Sequence, residues 1–329
     1  MIIDCHNHVG LDDRFYRSGA HPYAQDLPTM TGIGGENGVS NWIAFPFVSY
    51  RGQPHTEMPP PPVGLEAPYA WENLRLAREL RQQYPELGRD CLQFAILDPA
   101  RHTGSQIEAL RDLRTRFPIA GLKIQATIIA SPIAALRDEG ACFLDLAAEW
   151  NIPVLIHTSV AENDPWSQAG EIVSIAASRP EVRFCLAHSC RFDRPVLDQV
   201  AELPNAWFDC SAHLIHCLSV VKELPNIARS QRRFPGDYRD PVRVLSDLAT
   251  TYPGKMLWGS DSPYYCWIEP PGSACPNLKA TYREEVECLK ALPDDTISEI
   301  AVKNPMEFLS MPEGSFPLPD PPSALATVK

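Results

Sequence analysis

Short runs rich in Val, Ile, Leu, Phe and Trp alternate along the chain with stretches in which apolar residues recur every three to four positions. Eight runs read as strands: MIID at the amino terminus, NWIAFPFVS from Asn41, LQFAILD from Leu92, IAGLKIQ from Ile119, IPVLIHTS from Ile152, VRFCLAHS from Val182, AWFDCSA from Ala206 and KMLWGSD from Lys255. Helical periodicity falls between most of them, over residues 69–84, 104–117, 140–150, 171–178, 195–203 and 240–251, with two more helices near 279–291 and 296–309. A doubly wound open sheet is the main alternative, but it needs a Gly-rich phosphate loop after the first strand, which this chain lacks. The pattern therefore predicts an α/β chain folded as a single (β/α)8 TIM-type barrel with extra C-terminal helices. The barrel is expected over residues 1–310, followed by a Pro-rich tail over 311–329.

Composition adjusts this picture in a few places. The 329 residues are 44% hydrophobic and 21% charged, the balance of a globular chain with a sizeable core. Proline is the outlier at 33 residues, about twice its usual fraction. Prolines cluster in PHTEMPPPPVG, residues 54–64, which reads as a stiff surface loop because each proline fixes φ and removes a donor. The formal charge is 29 − 41 = −12, without a Lys/Arg cluster, which argues against nucleic acid as a partner. No apolar run reaches the roughly 18 residues of a membrane span, and MIIDCHNHVG turns polar at Asp4, so no membrane association and a cytoplasmic location are expected. Ten cysteines form no CxxC, and Cys91, Cys142, Cys185 and Cys210 lie in or beside apolar runs, the setting of packed free thiols.

The first strand ends in His6-Asn7-His8, and residues two apart on a strand share a face. His157 ends the fifth strand, His188 the sixth and Asp261 the eighth. In a barrel the carboxyl ends of the strands converge on one rim, so these distant residues can meet around one ion. Three neutral imidazoles and one carboxylate suit Zn(II), Fe(II) or Mn(II) with a position left open for water. Strict alternation puts Asp4 on the face of His6 and His8, as a structural group, and turns Cys5 and Asn7 outward.

The motifs IDCHNH at 3–8, LIHTS at 155–159, LAHS at 186–189 and GSDSP at 259–263 resemble the amidohydrolase superfamily, and within it the amidohydrolase-related, aminocarboxymuconate-semialdehyde decarboxylase-like branch. DLPTMTGIGGENGVSNWIAFP is similar to that family's helix and second strand, and KNPMEFL to its closing helix. The resemblance implies a metal held by His6, His8, His157 and Asp261, with zinc first and manganese or iron as alternatives. It also implies that Asp261 doubles as base and that His188 polarises substrate or transfers a proton. Lys123, in GLKIQA, resembles the lysine that other branches carboxylate to bridge two metals, with His188 as a further ligand; the other reading is a charged lysine that neutralises a substrate acid group.

Substrate contacts are expected from the loops: Arg51 after the second strand, Arg191 after His188 and His213 after the seventh strand, with Trp166, Tyr264 and Trp267 as apolar wall. The leading function is a metal-dependent hydrolase that activates water to cleave a C–O or C–N bond of a small carbonyl compound such as a lactone or amide. The alternative is a non-oxidative decarboxylase of an aromatic or enol acid, followed by a non-catalytic barrel subunit or a dinuclear redox site. The expected partner is a small carboxylate or carbonyl substrate, and the resemblance implies a homodimer.

Overall fold

The computed structural model of the chain describes residues 1–47, 62–273, 276–312 and 316. Among these residues nine strands form one sheet: β1 (Ile3–Leu11), β2 (Ala24–Gln25), β3 (Asn41–Pro46), β4 (Cys91–Leu97), β5 (Gly121–Ile124), β6 (Val154–Ile156), β7 (Phe184–Leu186), β8 (Ala206–Asp209) and β9 (Met256–Leu257). Its order is β2-β1-β3-β4-β5-β6-β7-β8-β9; β2 is an antiparallel flap on β1, and every other pairing is parallel. The seam between β9 and β1 is bridged where Cys5 N–H donates to the Trp258 carbonyl at 3.1 Å and His8 N–H to the Ser262 carbonyl at 2.7 Å. All eight strand runs read from the sequence appear in place, giving the TIM-like α/β barrel.

Strand alternation divides the apolar residues into two layers. Trp42, Ala44, Leu122, Ile124, Val154, Ile156, Phe184, Leu186 and Phe208 point outward and pack under the helices, among them Thr103–Arg116, Ala141–Trp150 and Pro241–Thr251. Ile43, Phe45, Leu92, Phe94, Leu155, Cys185, Trp207 and Leu257 fill the barrel interior. The closing helix Asn304–Leu309 plugs the bottom of that interior, with the Phe308 ring 6.3 Å from Phe94 and 5.8 Å from Trp207.

One irregularity decides what faces the site. Asp4 pairs with Trp42 and Asn7 with Ala44, so β1 spends three residues where β3 spends two. This bulge turns both Cys5 and His6 inward and corrects the strict alternation expected for the strand. Cys5 packs inside the barrel with Ile43 and Phe45. Asp4 turns to the outer side, where it accepts from Ser260 N–H and the Tyr282 hydroxyl, each at 2.9 Å; it is structural, as expected, but does not share the histidines' face. Asn7 points outward and donates to the carbonyls of Asp4 and Ile43.

The helices Asp13–Ser18 and His213–Val221 were not expected from the periodicity. Arg51, most of the proline loop and nearly all of the tail lie outside the described residues. Among the described residues no helix is long and apolar enough to cross a membrane.

Candidate metal centre and active site

The rim formed by the strands' carboxyl ends gathers His6, His8 and Asp261, all buried, with their ligand atoms within 4.8 Å of one another. Asp261 Oδ1 lies 3.3 Å from His6 Nε2 and 3.3 Å from His8 Nε2. Donor atoms at tetrahedral corners of bonds of about 2.0–2.1 Å stand about 3.3 Å apart, so both spacings suit a small divalent cation. Asp261 Oδ1 is buried and accepts no hydrogen bond among the described residues, an arrangement that a bound cation would relieve. Asp261 sits at φ 60°, and burial raises its carboxyl to about 6 against the pull of His6 and Lys123.

The protonation pattern around this group is fixed by its neighbours. Asp209 Oδ2 stands 2.9 Å from His6 Nδ1, so His6 carries its proton there and presents the Nε2 lone pair to the rim. Asp209 Oδ1 accepts from His188 N–H at 2.9 Å, from Ser211 N–H at 3.0 Å and from the Ser211 hydroxyl. Burial alone would raise the Asp209 carboxyl, but His6 and these donors outweigh it and hold the group well below the ordinary carboxylate range. A histidine whose second ring nitrogen is held by a buried carboxylate is the common arrangement of a metal-ligating imidazole. Burial, with Lys123 adding to it, keeps His6 and His8 neutral.

His157 does not join the other three in this arrangement. Its Nδ1 lies 3.0 Å from His188 Nε2 and its Nε2 3.0 Å from Arg191 Nη2. The guanidinium can only donate, so His157 accepts at Nε2 and donates from Nδ1 to His188. His188 then holds its proton on Nδ1, which faces the Ser211 carbonyl at 3.2 Å and the Ser211 hydroxyl at 2.9 Å, with Asp261 Oδ2 at 3.9 Å. Arg191, Thr158, His157, His188, Ser211, Asp209 and His6 thus form one continuous hydrogen-bonded train.

Lys123 lies wholly inside the barrel, its Nζ 3.0 Å from His6 Nε2 and 4.5 Å from the centre of the Phe45 ring. Burial pushes it down to about 8 despite Asp209 and Asp261. His188 through Phe192 are five consecutive non-glycine residues with φ between 48° and 60°, a left-handed turn disfavoured by roughly 1–2 kcal/mol per residue. Such a turn persists only where its surroundings over-determine it. Here Asp209 grips its first amide, and both His188 and Arg191 reach the cavity.

That cavity, of about 350 Å³, opens above the rim. His8, His157, His188 and Asp261 form its floor, Arg191 and His216 one side, and Ile128, Ile215, Leu224, Tyr264, Trp267 and Leu278 its apolar walls. Arg191, Tyr264 and Trp267 therefore stand where the sequence places them. Two others do not. His213 begins the helix His213–Val221 and turns away, its Nε2 2.8 Å from the Pro241 carbonyl, so that His216, one turn on, lines the cavity instead. Trp166 packs against the outer core rather than the cavity. Sequence reasoning passed over Asp209 and His216. The inward register of β8, Trp207 followed by Asp209, is a signal that could single out Asp209, whereas nothing short of the unexpected helix points to His216.

Comparison with known proteins supplies the family. The family model described as Amidohydrolase matches residues 3–311. Among solved structures, the chain is similar to an amidohydrolase from Burkholderia multivorans with bound HEPES, at 15% identity and TM-score 0.64, over 95% of this chain and 100% of the other. It is similar to a dihydroxybenzoic acid decarboxylase from Polaromonas sp. JS666 with bound manganese and 2-nitroresorcinol, at 12% identity and TM-score 0.57, over 94% and 96% of the two chains. It also resembles a dihydroorotase from Campylobacter jejuni, at 14% identity and TM-score 0.57, over 94% and 83%. Identities this low establish the shared fold alone. No match is found among curated proteins. With the family model spanning nearly its whole length, the chain belongs to the amidohydrolase family.

Proposed function

We propose that the protein is a metal-dependent hydrolase that uses activated water to cleave a C–O or C–N bond of a small carbonyl compound such as a lactone or amide. The observation that carries this reading is the buried Asp261 Oδ1, without a hydrogen bond and 3.3 Å from two imidazole Nε2 atoms. His6, His8 and Asp261 would hold a divalent cation, with His157 as the further ligand expected from the strand ends; zinc ranks first by donor set, and manganese is the ion named with one structural neighbour. When bound, such an ion supplies Lewis acidity and lowers the pKa of a coordinated water.

The chain's own residues do the rest. Asp261, a carboxylate raised by burial, is placed to take a proton at Oδ2. His188 holds a proton on Nδ1 within 3.9 Å of that oxygen and can stabilise a developing oxyanion, while Asp261 returns the proton it has taken to the leaving group. Asp209 keeps the His6 ring in register from its Nδ1 side, and Lys123 sets its ammonium against the Nε2 side. The apolar walls displace bulk water from the cavity.

A second reading, non-oxidative decarboxylation of an aromatic or enol acid, draws on the same apolar walls, which disfavour a carboxylate relative to neutral CO2. Decarboxylases and a hydrolase both stand among the structural neighbours. A panel of lactones, amides and carboxylated phenols, scored by product mass with the metal-loaded enzyme, tests the choice. Products whose summed mass exceeds the substrate's by 18 Da support hydrolysis, and loss of 44 Da without water addition replaces it by decarboxylation.

A further inference from the structure

Arg191 is a buried cation without a carboxylate in contact among the described residues. The residue is 8% exposed, yet it lines the cavity. Nε donates to the Thr158 carbonyl at 2.8 Å, Nη2 to His157 Nε2 at 3.0 Å, and Nη1 to His216 Nε2. His216 Nδ1 is 3.2 Å from the Ser211 carbonyl, which fixes that ring as a neutral acceptor toward Arg191. Among the described residues every acceptor of Arg191 is thus uncharged. Among the described residues no carboxylate comes within 4.0 Å of it, and Asp261, Asp164 and Asp209 act on it only from longer range.

Burying a guanidinium without an opposite charge is costly, and proteins keep one where a ligand supplies the missing anion. Three of the five guanidinium N–H groups are spent on the fold, leaving one on each Nη. Two such donors match the two oxygens of a carboxylate. The position is enforced: Arg191 sits on the strained left-handed turn, and its own carbonyl accepts from Ala228 N–H at 3.1 Å.

We propose that Arg191 is the anchor for the carboxylate of the substrate, and that the substrate is a small monocarboxylate with a compact apolar body lying against Ile128, Ile215, Leu278 and Trp267. The inference rests on the reading under Proposed function only for what happens at the other end of the cavity. Arg191 is separated from Asp261 by the rings of His157 and His188, so the anchoring carboxylate lies beside the triad and leaves a different bond of the substrate to meet it. On this arrangement the carboxylate serves recognition and is retained in the product.

Binding to protein stripped of metal by a chelator tests the anchor without any turnover. Phenylacetate, phenylacetamide and inorganic phosphate are titrated calorimetrically into the wild-type chain, the R191Q and R191K variants and the H6A/H8A double variant. Phenylacetate is expected to bind at least tenfold more tightly than its amide and than phosphate in wild type. That preference should vanish in R191Q, survive in part in R191K and persist in H6A/H8A. Equal binding of acid and amide, binding of neither, tighter binding of phosphate, or an R191Q protein that keeps the preference each overturns the anchor. The acid-against-amide comparison in wild type decides the matter even where R191Q does not fold. Failure of the chain to take up metal while the preference stands would remove the hydrolase reading and leave the anchor in place.

Discussion

The two ends of the barrel interior are built by the same strands and obey opposite chemistry. At the bottom, Leu92, Leu155, Trp207 and Leu257 close on Phe308 in an apolar plug. At the top, the next inward positions are His157 after Leu155 and Asp209 after Trp207, joined by His6, Lys123, His188 and Asp261. Moving two residues along β8, from Trp207 to Asp209, changes the interior from dispersion packing to a train of hydrogen bonds with almost no change in solvent exposure. Burial is thus shared by both ends and does not distinguish scaffold from site. What distinguishes them is charge: the bottom closes on apolar contacts and leaves at most a neutral group, the Trp207 indole N–H, without a partner, while the top retains an Asp261 oxygen and an Arg191 charge that the described residues do not complete.

Substitutions at the two ends should therefore fail in different ways. The largest effect is expected at the bottom: Phe308→Ala removes the ring that seals the plug and should cost about 3–5 kcal/mol in urea unfolding, while the protein that remains folded binds metal as wild type does. A loss below about 1 kcal/mol would show that the plug is not a packed core. At the top, Asp209→Asn removes the negative charge that holds the His6 ring. Metal affinity, measured by competition with a chromogenic chelator, should fall about 10–100-fold. Unchanged affinity would show that the carboxylate does not orient His6.

The fold was legible because barrel strands are buried on both faces and stand out as apolar runs, while the helices between them keep their 3.6-residue period. His6, His8 and Asp261 were legible for a related reason: in a barrel the carboxyl end of a strand leads to the functional rim whatever its place in the chain. The rest depended on backbone detail that periodicity does not encode. The bulge in β1 adds one residue and reverses the sides of Asp4 and Cys5. The left-handed turn at 188–192 contains no glycine to announce it. The helix His213–Val221 begins immediately after β8 and exchanges His213 for His216 at the cavity wall. His157 was placed correctly on its strand, but its ring orientation depends on Arg191 and His188, which meet it only in three dimensions.

The central claim is that the top of the barrel is built around a cation. It is tested most directly by metal content per chain, measured by elemental analysis of protein purified without added metal, beside H6A/H8A and D261A variants whose folding is checked by circular dichroism. About one zinc, manganese or iron per wild-type chain, lost in both folded variants, is the expected result. Wild-type protein that takes up no divalent metal, even after incubation with excess, or folded variants that retain it in full, would contradict the account.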